Sequence, residues 1–582
     1  MKALDHFWGD QKTIGENGHP EYAWNETSFQ ERICQFNFQC VRNADIHTLN
    51  KIFTSILYDI KTELDRNPTS VEVQNYLVIL VKLIAQTRDI EAGKGERILT
   101  YMMITTLYIY FPILSLLLVS HLLFIDNSTT PYGSWKDIKH LCYYIKSNYH
   151  NSDHPLIYHC IRMICEQINT DLEIAEKNPS KISLCARWVP RESSSPKFSW
   201  IFKKVAFEFY PIFMKTAYTR EMQEKATNKT FMTFARNLSY LNRKLDTVQI
   251  KMCGKKWAEI DHHKTPSVAL LKNKKAFLNQ SNNKSAKHDN DRILCAKNLE
   301  KYIEYRLKKG NTIKGKNVAI VDYVKQAIDC YKGSYIDREM IDAQWCDFMT
   351  KIENIGNMVA MVDQSGSMTF DGVDPYYAAI GLGLAISEKS ILGPRIMTFA
   401  AEPQWISLEG YGSFCSKIRM IMKNDNLAGT NTNFFKALNL ILDSCVKAKL
   451  ANEIVSNMVL VILSDMQIDM ADESFQMDRD ADGLTMQERI DAKYRAAGYD
   501  KSPHILFWNL RSTDGFPTVS STKNCSMLSG FSPVLLNVFC QKGIDMLSEM
   551  TPWKLLVDSL ENPRYNIIDV DCKQFFDEYR LM

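Results

Sequence analysis

The sequence predicts an α plus α/β protein: an N-terminal α-helical repeat domain followed by a Rossmann-like α/β domain with a parallel-core sheet. Three observations carry this. Apolar residues recur at helical spacing from about Phe29 to Tyr305, the pattern changes at Asn357 to apolar strands alternating with helices, and the chain is 582 residues long. Such a length exceeds what one hydrophobic core serves, so at least two domains are expected. The boundary is placed near residue 350, giving a helical domain over 1–350 and an α/β domain over 351–582. Hydrophobic residues make up 45% and charged residues 24% of the chain, a globular composition that excludes disordered and fibrous classes.

In the first domain, Val71–Ala85, Ile98–Phe111, Ile113–Ile125, Trp135–Ser147, Leu156–Leu172 and Phe198–Tyr218 each carry an apolar face with helical period. Stacked helices of this kind suggest a HEAT-like α-solenoid with degenerate repeats, since no strict period is present. The window Ile98–Ile125 holds no Asp, Glu, Lys or Arg and is long enough to resemble a membrane span. Pro112 interrupts it, and its threonines, serines, tyrosines and His121 dilute its hydrophobicity. It is therefore read as two buried helices, and no membrane is expected. Asn279–Asp291, rich in Asn, Lys and Ser, reads as an exposed loop, and a further helical pattern covers Ile293–Cys330.

In the second domain, Met358–Val362, Arg395–Phe399, Met458–Leu463 and His504–Trp508 read as core strands. Helices near Tyr376–Ser390, Phe434–Lys447 and Thr485–Ala497 would cover their faces. The 15 cysteines never fall as Cys-x-x-Cys, and the N-terminal residues form no apolar secretory run. Free thiols in a reducing, cytoplasmic setting follow, without a zinc site.

The strand Asn357–Val362 runs directly into Asp363-Gln-Ser-Gly-Ser367, a polar turn at the carboxyl end of a strand, where open α/β sheets bind ligands. Asp363, Ser365 and Ser367 alternate along the turn, and Gly366 permits a tight backbone, so three oxygens can converge. Thr430 in Ala428-Gly-Thr-Asn-Thr432 and Asp465 at the end of Val459–Ser464 bring two more oxygens to the same rim. Hard oxygen donors in a small cage suit Mg²⁺, with other divalent cations as alternatives. Two carboxylates leave a doubly charged ion able to take a further anionic oxygen from an acidic protein or a phosphate. The competing reading of the turn is simple helix capping by Ser and Asp.

Asp-x-Ser-x-Ser, then Thr, then a strand-terminal Asp resembles the metal-ion-dependent adhesion site (MIDAS) of von Willebrand factor A domains, and Asp363, Ser365, Ser367, Thr430 and Asp465 match all five positions. Stretches of the first domain resemble an uncharacterised family of plants, fungi, bacteria and large DNA viruses, in which a TROVE-like helical module precedes such an A domain. They are Thr13–Gly18, Arg88–Arg97, Tyr132–Asp137, Ala186–Pro190 and Trp257–Ser267. The architecture is distantly similar to the Ro autoantigen, a ribonucleoprotein component, which implies RNA binding by the helical module.

The net charge of +3 hides a basic stretch, because Lys215–Lys284 holds 15 Lys and Arg against 5 Asp and Glu. Lys251, Lys255, Lys256, Lys264, Lys272, Lys274 and Lys275 are candidate RNA contacts, with Trp257 and Phe277 as candidate stacking residues. A solvated helical surface is the alternative. Ala92-Gly-Lys-Gly-Glu96 lacks the Gly and Ser/Thr of a phosphate-binding loop, so Arg88, Asp89, Lys94, Glu96 and Arg97 are expected to cap and pair at a helix junction. His262-His263 is read as a surface or core pair, because adjacent helical residues do not face one another.

No catalytic residue is assigned. A phosphoryl-transfer enzyme using Asp363 as nucleophile would need a second Asp where Ser365 stands. The expected function is non-enzymatic: Mg²⁺-dependent ligand binding by the α/β domain and RNA binding by the helical one. The alternative is a protein–protein adaptor or assembly component, in a virion if the chain is viral. Asp371 and Asp374, just past the metal turn, are expected to decorate the loop.

Overall fold

The computed structural model describes residues 12–14, 20–126, 129–280, 289–310, 312–330, 335–369, 372–399, 403–423, 434–466, 486–513, 515–542 and 544–580. The chain divides into two compact units. One comprises residues 1–96, 303–570 and 576–582, and the other residues 97–302 and 571–575. The change of pattern near residue 350 therefore marks a change of secondary structure, while the segment before residue 97 clusters with the sheet.

The first unit opens with an antiparallel ribbon, β1 (Lys12–Ile14) and β2 (Pro20–Tyr22), followed by helices α1 (Phe29–Gln39), α2 (Ile46–Arg66) and α3 (Val71–Arg88). Ser28 and Asp45 start α1 and α2 as N-caps, their side chains accepting from the backbone N–H of Glu31 and His47.

The second unit is helical. It contains α4 (Ile98–Tyr110), α5 (Pro112–His121), α6 (Trp135–Tyr149), α7 (Pro155–Ile174), α8 (Cys185–Trp188), α9 (Pro196–Phe209), α10 (Pro211–Lys215), α11 (Arg220–Leu245), α12 (Val248–Cys253) and α13 (Ser267–Phe277). Several of these helices pack on near neighbours in sequence: α4 on α5, α6 on α7, α7 on α9 and α9 on α11. Pro112 occupies the first position of α5, so the uncharged window is two helices. No described helix is long and apolar enough to cross a membrane. The helix expected over Phe198–Tyr218 is broken after Phe209, because Pro211 lacks the N–H that would continue it and disfavours helical backbone at Tyr210.

The helical pattern over Ile293–Cys330 likewise resolves into α14 (Asn290–Lys308) and α15 (Ile320–Asp329), separated by a loop in which Gly310 takes a φ of 63°. The rest of the first unit includes α16 (Tyr335–Met349), β3 (Met358–Asp363), α17 (Asp374–Lys389), β4 (Arg395–Phe399), β5 (Gln404–Ser407), α18 (Phe414–Lys423), α19 (Phe434–Lys447), β6 (Val459–Ser464), β7 (His504–Asn509) and β8 (Cys525–Ser529), with further helices, among them Met486–Ala496 where one was expected near Thr485–Ala497. The six strands order as β5-β4-β3-β6-β7-β8. All neighbours are parallel except β4 and β5. The four expected strands are present. β5, a short antiparallel edge, and β8 were not expected.

Near-continuous apolar runs in β3, β6 and β7 fit strands covered on both faces. On one face Val359, Met361, Leu460, Ile462, Ile505 and Phe507 pack with Ala437, Leu438 and Ile441 of α19 and with Cys34 and Phe38 of α1. On the other, α17 approaches so closely that a Cβ at Gly383 would lie 2.4 Å from Val362 Cγ2. A Cβ at Gly381 would lie 2.7 Å from Ile320 Cγ1 of α15. The Gly-Leu-Gly of α17 thus lets one helix pass between the sheet and α15.

Candidate functional site

Four parallel strands end in a polar residue on the same face. Side chains alternate along a strand, so β3 carries Val359, Met361 and then Asp363 on that face; β6 carries Leu460, Ile462 and Ser464. In β7 the same face holds Ile505, Phe507 and Asn509, and in β8 Cys525, Met527 and Ser529. The register pairs Ser464 with Asn509 and Asn509 with Ser529. Ser464 Oγ donates to Asp363 Oδ2 at 2.5 Å. Each apolar column of the core therefore ends at the carboxyl rim in one member of a buried polar row.

The two halves of this row do different work. Asn509 Nδ2 donates to the Phe38 carbonyl at 3.0 Å, and Ser529 Oγ donates to the Asn37 carbonyl at 2.6 Å. Lys94 Nζ donates to the carbonyls of Asn37 (2.8 Å) and Cys40 (3.2 Å) and to Ser529 Oγ (2.7 Å). The open carbonyls at the end of α1 are thus satisfied by the β7–β8 half of the rim and one buried lysine. Burial lowers that ammonium to about 8. None of Ser464, Asn509 and Ser529 was singled out from the sequence, although a polar residue closing an alternating apolar column was the available signal.

The acidic half sits between β3 and β6, where the strand order reverses. This is the place in an open α/β sheet where ligands enter. Asp363 is fully buried, and its Oδ1 accepts from the Ser365 N–H at 2.8 Å. Ser365 Oγ and Ser367 Oγ lie 2.8 Å apart on the same turn. Asp465 follows β6 and is also fully buried, with Arg511 Nε 3.3 Å from its Oδ2. Arg511 is steered there by its own N–H, which donates to Asn509 Oδ1 at 3.1 Å. Burial, and secondarily the negative charge of Asp465, raise the Asp363 carboxyl to about 7. Gln364 is buried beside them, and its Nε2 has no hydrogen-bond partner among the described residues.

Four of the five expected ligands, Asp363, Ser365, Ser367 and Asp465, thus belong to two neighbouring strand ends. Thr430, with the whole of 428–432, lies outside the described residues, as does Asp371. Asp374 is in an ion pair with Lys325 at 2.5 Å, tying α17 to α15. Among the described residues no group of three or more His, Cys, Asp and Glu could hold a metal. The donors at the rim are two carboxylates and two hydroxyls, all hard oxygens, and this donor chemistry fits Mg²⁺ better than a thiophilic ion.

The charged cluster near residues 88–97 is structural. Asp89, fully buried, accepts from Arg564 Nε at 2.7 Å and Nη2 at 2.8 Å, and Arg42 pairs with Glu96 at 2.8 Å.

Of the seven lysines expected to meet RNA, three lie beside acids and one is buried. Lys251 pairs with Asp246 at 3.0 Å, Lys256 with Glu259 at 3.4 Å and Lys264 with Asp261 at 3.8 Å. Lys274 is 2% exposed, which takes it out of any surface. Lys255, Lys272 and Lys275 are exposed. Phe277 is fully buried and offers no face to a base, and the half-buried Trp257 has the Arg292 guanidinium 3.7 Å from its ring. His262 is buried against Phe277, and His263 lies against Tyr302. The loop expected over 279–291 lies outside the described residues except for 279–280 and 289–291.

Residues 357–562 match a family model described as a domain of unknown function (DUF7788), which takes in β3 through β8 and both rim carboxylates. Residues 143–358 match a second, described as a domain of unknown function (DUF2828). Along its length the chain is similar to an uncharacterized protein, L728, of Acanthamoeba polyphaga mimivirus, with 28% identity over 526 residues covering 86% of this chain and 83% of the relative.

Proposed function

We propose that the sheet-containing unit is a von Willebrand factor A-type domain whose rim binds Mg²⁺ and, through it, an acidic protein or phosphate ligand. The observation that supports this most directly is the pair of fully buried carboxylates, Asp363 and Asp465, side by side at the strand-order reversal with the Ser365 and Ser367 hydroxyls. Two buried carboxylates repel and each is costly out of water, so a divalent cation is the natural complement. Bound there, the ion would supply a Lewis-acidic centre for an anionic oxygen. The chain's own part is to hold the oxygens: Ser464 and the Ser365 N–H fix the Asp363 carboxylate, and Arg511 stands beside Asp465 as a counter-charge.

The reading is of a binding protein, not an enzyme, because Ser365 stands where phosphoryl transfer would need a second carboxylate. The helical unit completes it as a TROVE-like repeat module for RNA, in the cytoplasm or a virion. Its support is the packing of helices on near neighbours in sequence and the surplus of cations in that unit.

The test is a thermal melt with and without MgCl₂. The wild type gains stability with ligand concentration, by about 2.7 kcal/mol at a hundredfold excess over Kd, and Asp363→Ala gains none. An Mg²⁺ response that survives Asp363→Ala removes the assignment.

A further inference from the structure

We propose that the face of the helical unit formed by α6, α8 and the start of α9 binds single-stranded nucleic acid, with lysines meeting phosphates and Trp188 and Trp200 stacking on bases. This rests on the nucleic-acid reading above and moves it to a different surface from the lysines that the sequence indicated.

One stripe of α6 is basic and aromatic. Lys136, Lys139, His140, Tyr143 and Lys146 stand three, four, seven and ten residues along from the first, which puts them on one helical face spanning about 15 Å. Ile138, Leu141, Cys142 and Ile145 occupy the opposite face and are fully buried, which fixes the rotation of the helix and turns the stripe outward. α8 and α9 pack against α6 and bring Arg187, Trp188, Lys197, Phe198 and Trp200 alongside.

The cations there are held by rings. Lys136, Lys139 and Arg187 lie 5.5, 5.2 and 5.3 Å from the centre of the Trp188 ring. Lys139 is also 4.7 Å from Phe198, Lys197 is 4.0 Å from Tyr143, and Lys146 is 4.6 Å from Trp200. None of Lys136, Lys139, Lys146, Arg187 and Lys197 forms an ion pair among the described residues. Asp137, the acidic residue within this stretch of α6, is fully buried and accepts from Tyr101 Oη at 2.8 Å and Ser134 Oγ at 2.9 Å. Burial and the neighbouring charges of Arg97 and Lys272 lower the Lys136 ammonium, and burial with Lys139, Arg97 and Lys136 pushes His140 down to about 4.

Five cations with one buried carboxylate, Asp137, among them leave a net positive field that a chain of phosphates would neutralise. Interleaved half-buried aromatics add flat platforms that unpaired bases can use and stacked duplex bases cannot. An acidic peptide would answer the charge but leave Trp188 and Trp200 without a stacking role.

The experiment uses the full chain and fluorescence anisotropy with a labelled oligouridine, the matching oligo-dT, a duplex of the same length and a polyglutamate peptide. Lys136→Gln, Lys139→Gln and Lys146→Gln combined should weaken oligouridine binding at least ~10-fold and flatten its salt dependence by about two units of log–log slope, at ~0.7 per phosphate contact. Lys255→Gln, Lys256→Gln and Lys264→Gln combined should change affinity less than ~2-fold on the same electrostatic argument. Oligo-dT bound as well as oligouridine supports a single-strand site indifferent to the sugar, and oligouridine alone supports an RNA site.

Because the first variant alters half-buried side chains, photocrosslinking of the wild type to oligouridine provides an independent reading. Crosslinked peptides should contain Trp188 or Trp200. Undiminished binding by the α6 variant, crosslinks elsewhere, or equal binding of duplex or polyglutamate overturns the proposal. If the Lys255, Lys256 and Lys264 variant loses binding instead, RNA binding stands on the other surface. A wild type that binds no strand ends both readings.

Discussion

Replacing Asp363 with Asn separates the cost of a second buried carboxylate from the benefit of a bound cation. Asn retains an oxygen for the Ser365 N–H, and its amide can donate to Ser464 Oγ, so the turn keeps its hydrogen bonds while losing a charge. In the folded protein the Asp363 carboxyl lies at about 7 against an ordinary 3.8. Between these values the folded state holds a proton that the unfolded chain has released. Stability therefore falls as pH rises from about 4 to about 7, and the penalty is full above that. At 1.36 kcal/mol per unit the penalty is on the order of 2–4 kcal/mol once Asp465 shares it.

Without divalent ions, Asp363→Asn should therefore melt several degrees above the wild type near pH 8, at roughly 2–4 °C per kcal/mol for a unit of 150–250 residues and less for a larger one. The difference should shrink toward about pH 5, where the wild-type carboxyl is itself protonated. With saturating MgCl₂ the wild type rises and the variant does not. The assay is a set of melts across this range in EDTA and in MgCl₂. An apo variant no more stable than the wild type near pH 8, or an advantage unchanged at about pH 5, refutes the electrostatic account of the pair.

Gly383→Ala would place a methyl 2.4 Å from Val362 Cγ2 and should cost about 1–3 kcal/mol in urea unfolding; a neutral result would mean that α17 can move off the sheet. Lys94→Met strands the carbonyls at the end of α1 and should cost on the order of 3 kcal/mol, with loss of native-state hydrogen-exchange protection in α1 before the sheet. Arg564→Ala leaves Asp89 buried without its bidentate partner and should cost about 3–5 kcal/mol, much of it recovered by adding Asp89→Asn. Burial lowers the His504 imidazole to about 4, so it stays neutral in the fold while the unfolded chain takes up a proton below about 6.5. Its contribution makes stability fall as pH falls from about 6.5 to about 4, and His504→Gln should remove that part of the slope; an unchanged slope would place the titration elsewhere.

How much of this was legible in sequence depended on whether the signal was local. β3, β6 and β7 announce themselves as unbroken apolar runs, because a strand covered on both faces needs no polar alternation. β5 is four residues on an edge, half-exposed and antiparallel, and its Gln404-Trp-Ile-Ser407 has no such run. β8 reads Cys525-Ser-Met-Leu-Ser529, whose serines suggest a loop until partners are known for them. The rim carboxylates were legible because a metal turn writes its donors into adjacent positions. Arg511 was not, and of Lys94 only a capping role was legible and not its partners, since each acts on residues tens to hundreds of positions away.

The basic surface shows the same limit from the other side. Counting Lys and Arg along Lys215–Lys284 treats charge as a property of a stretch, yet a helix or turn pairs a lysine with an acid three to five residues away. Asp246, Glu259 and Asp261, three of the five acids of that stretch, answer Lys251, Lys256 and Lys264. On α6 the arithmetic looks weaker, with three lysines and one aspartate, but Asp137 is turned inward to Tyr101 and Ser134 and forms no ion pair with the outer stripe among the described residues. Charge that can act on a partner is what remains after local pairing and burial have been subtracted. By that measure Lys136, Lys139 and Lys146, flanked by Arg187 and Lys197, are better placed to meet a phosphate chain than the longer basic run, and only side-chain direction distinguishes the two.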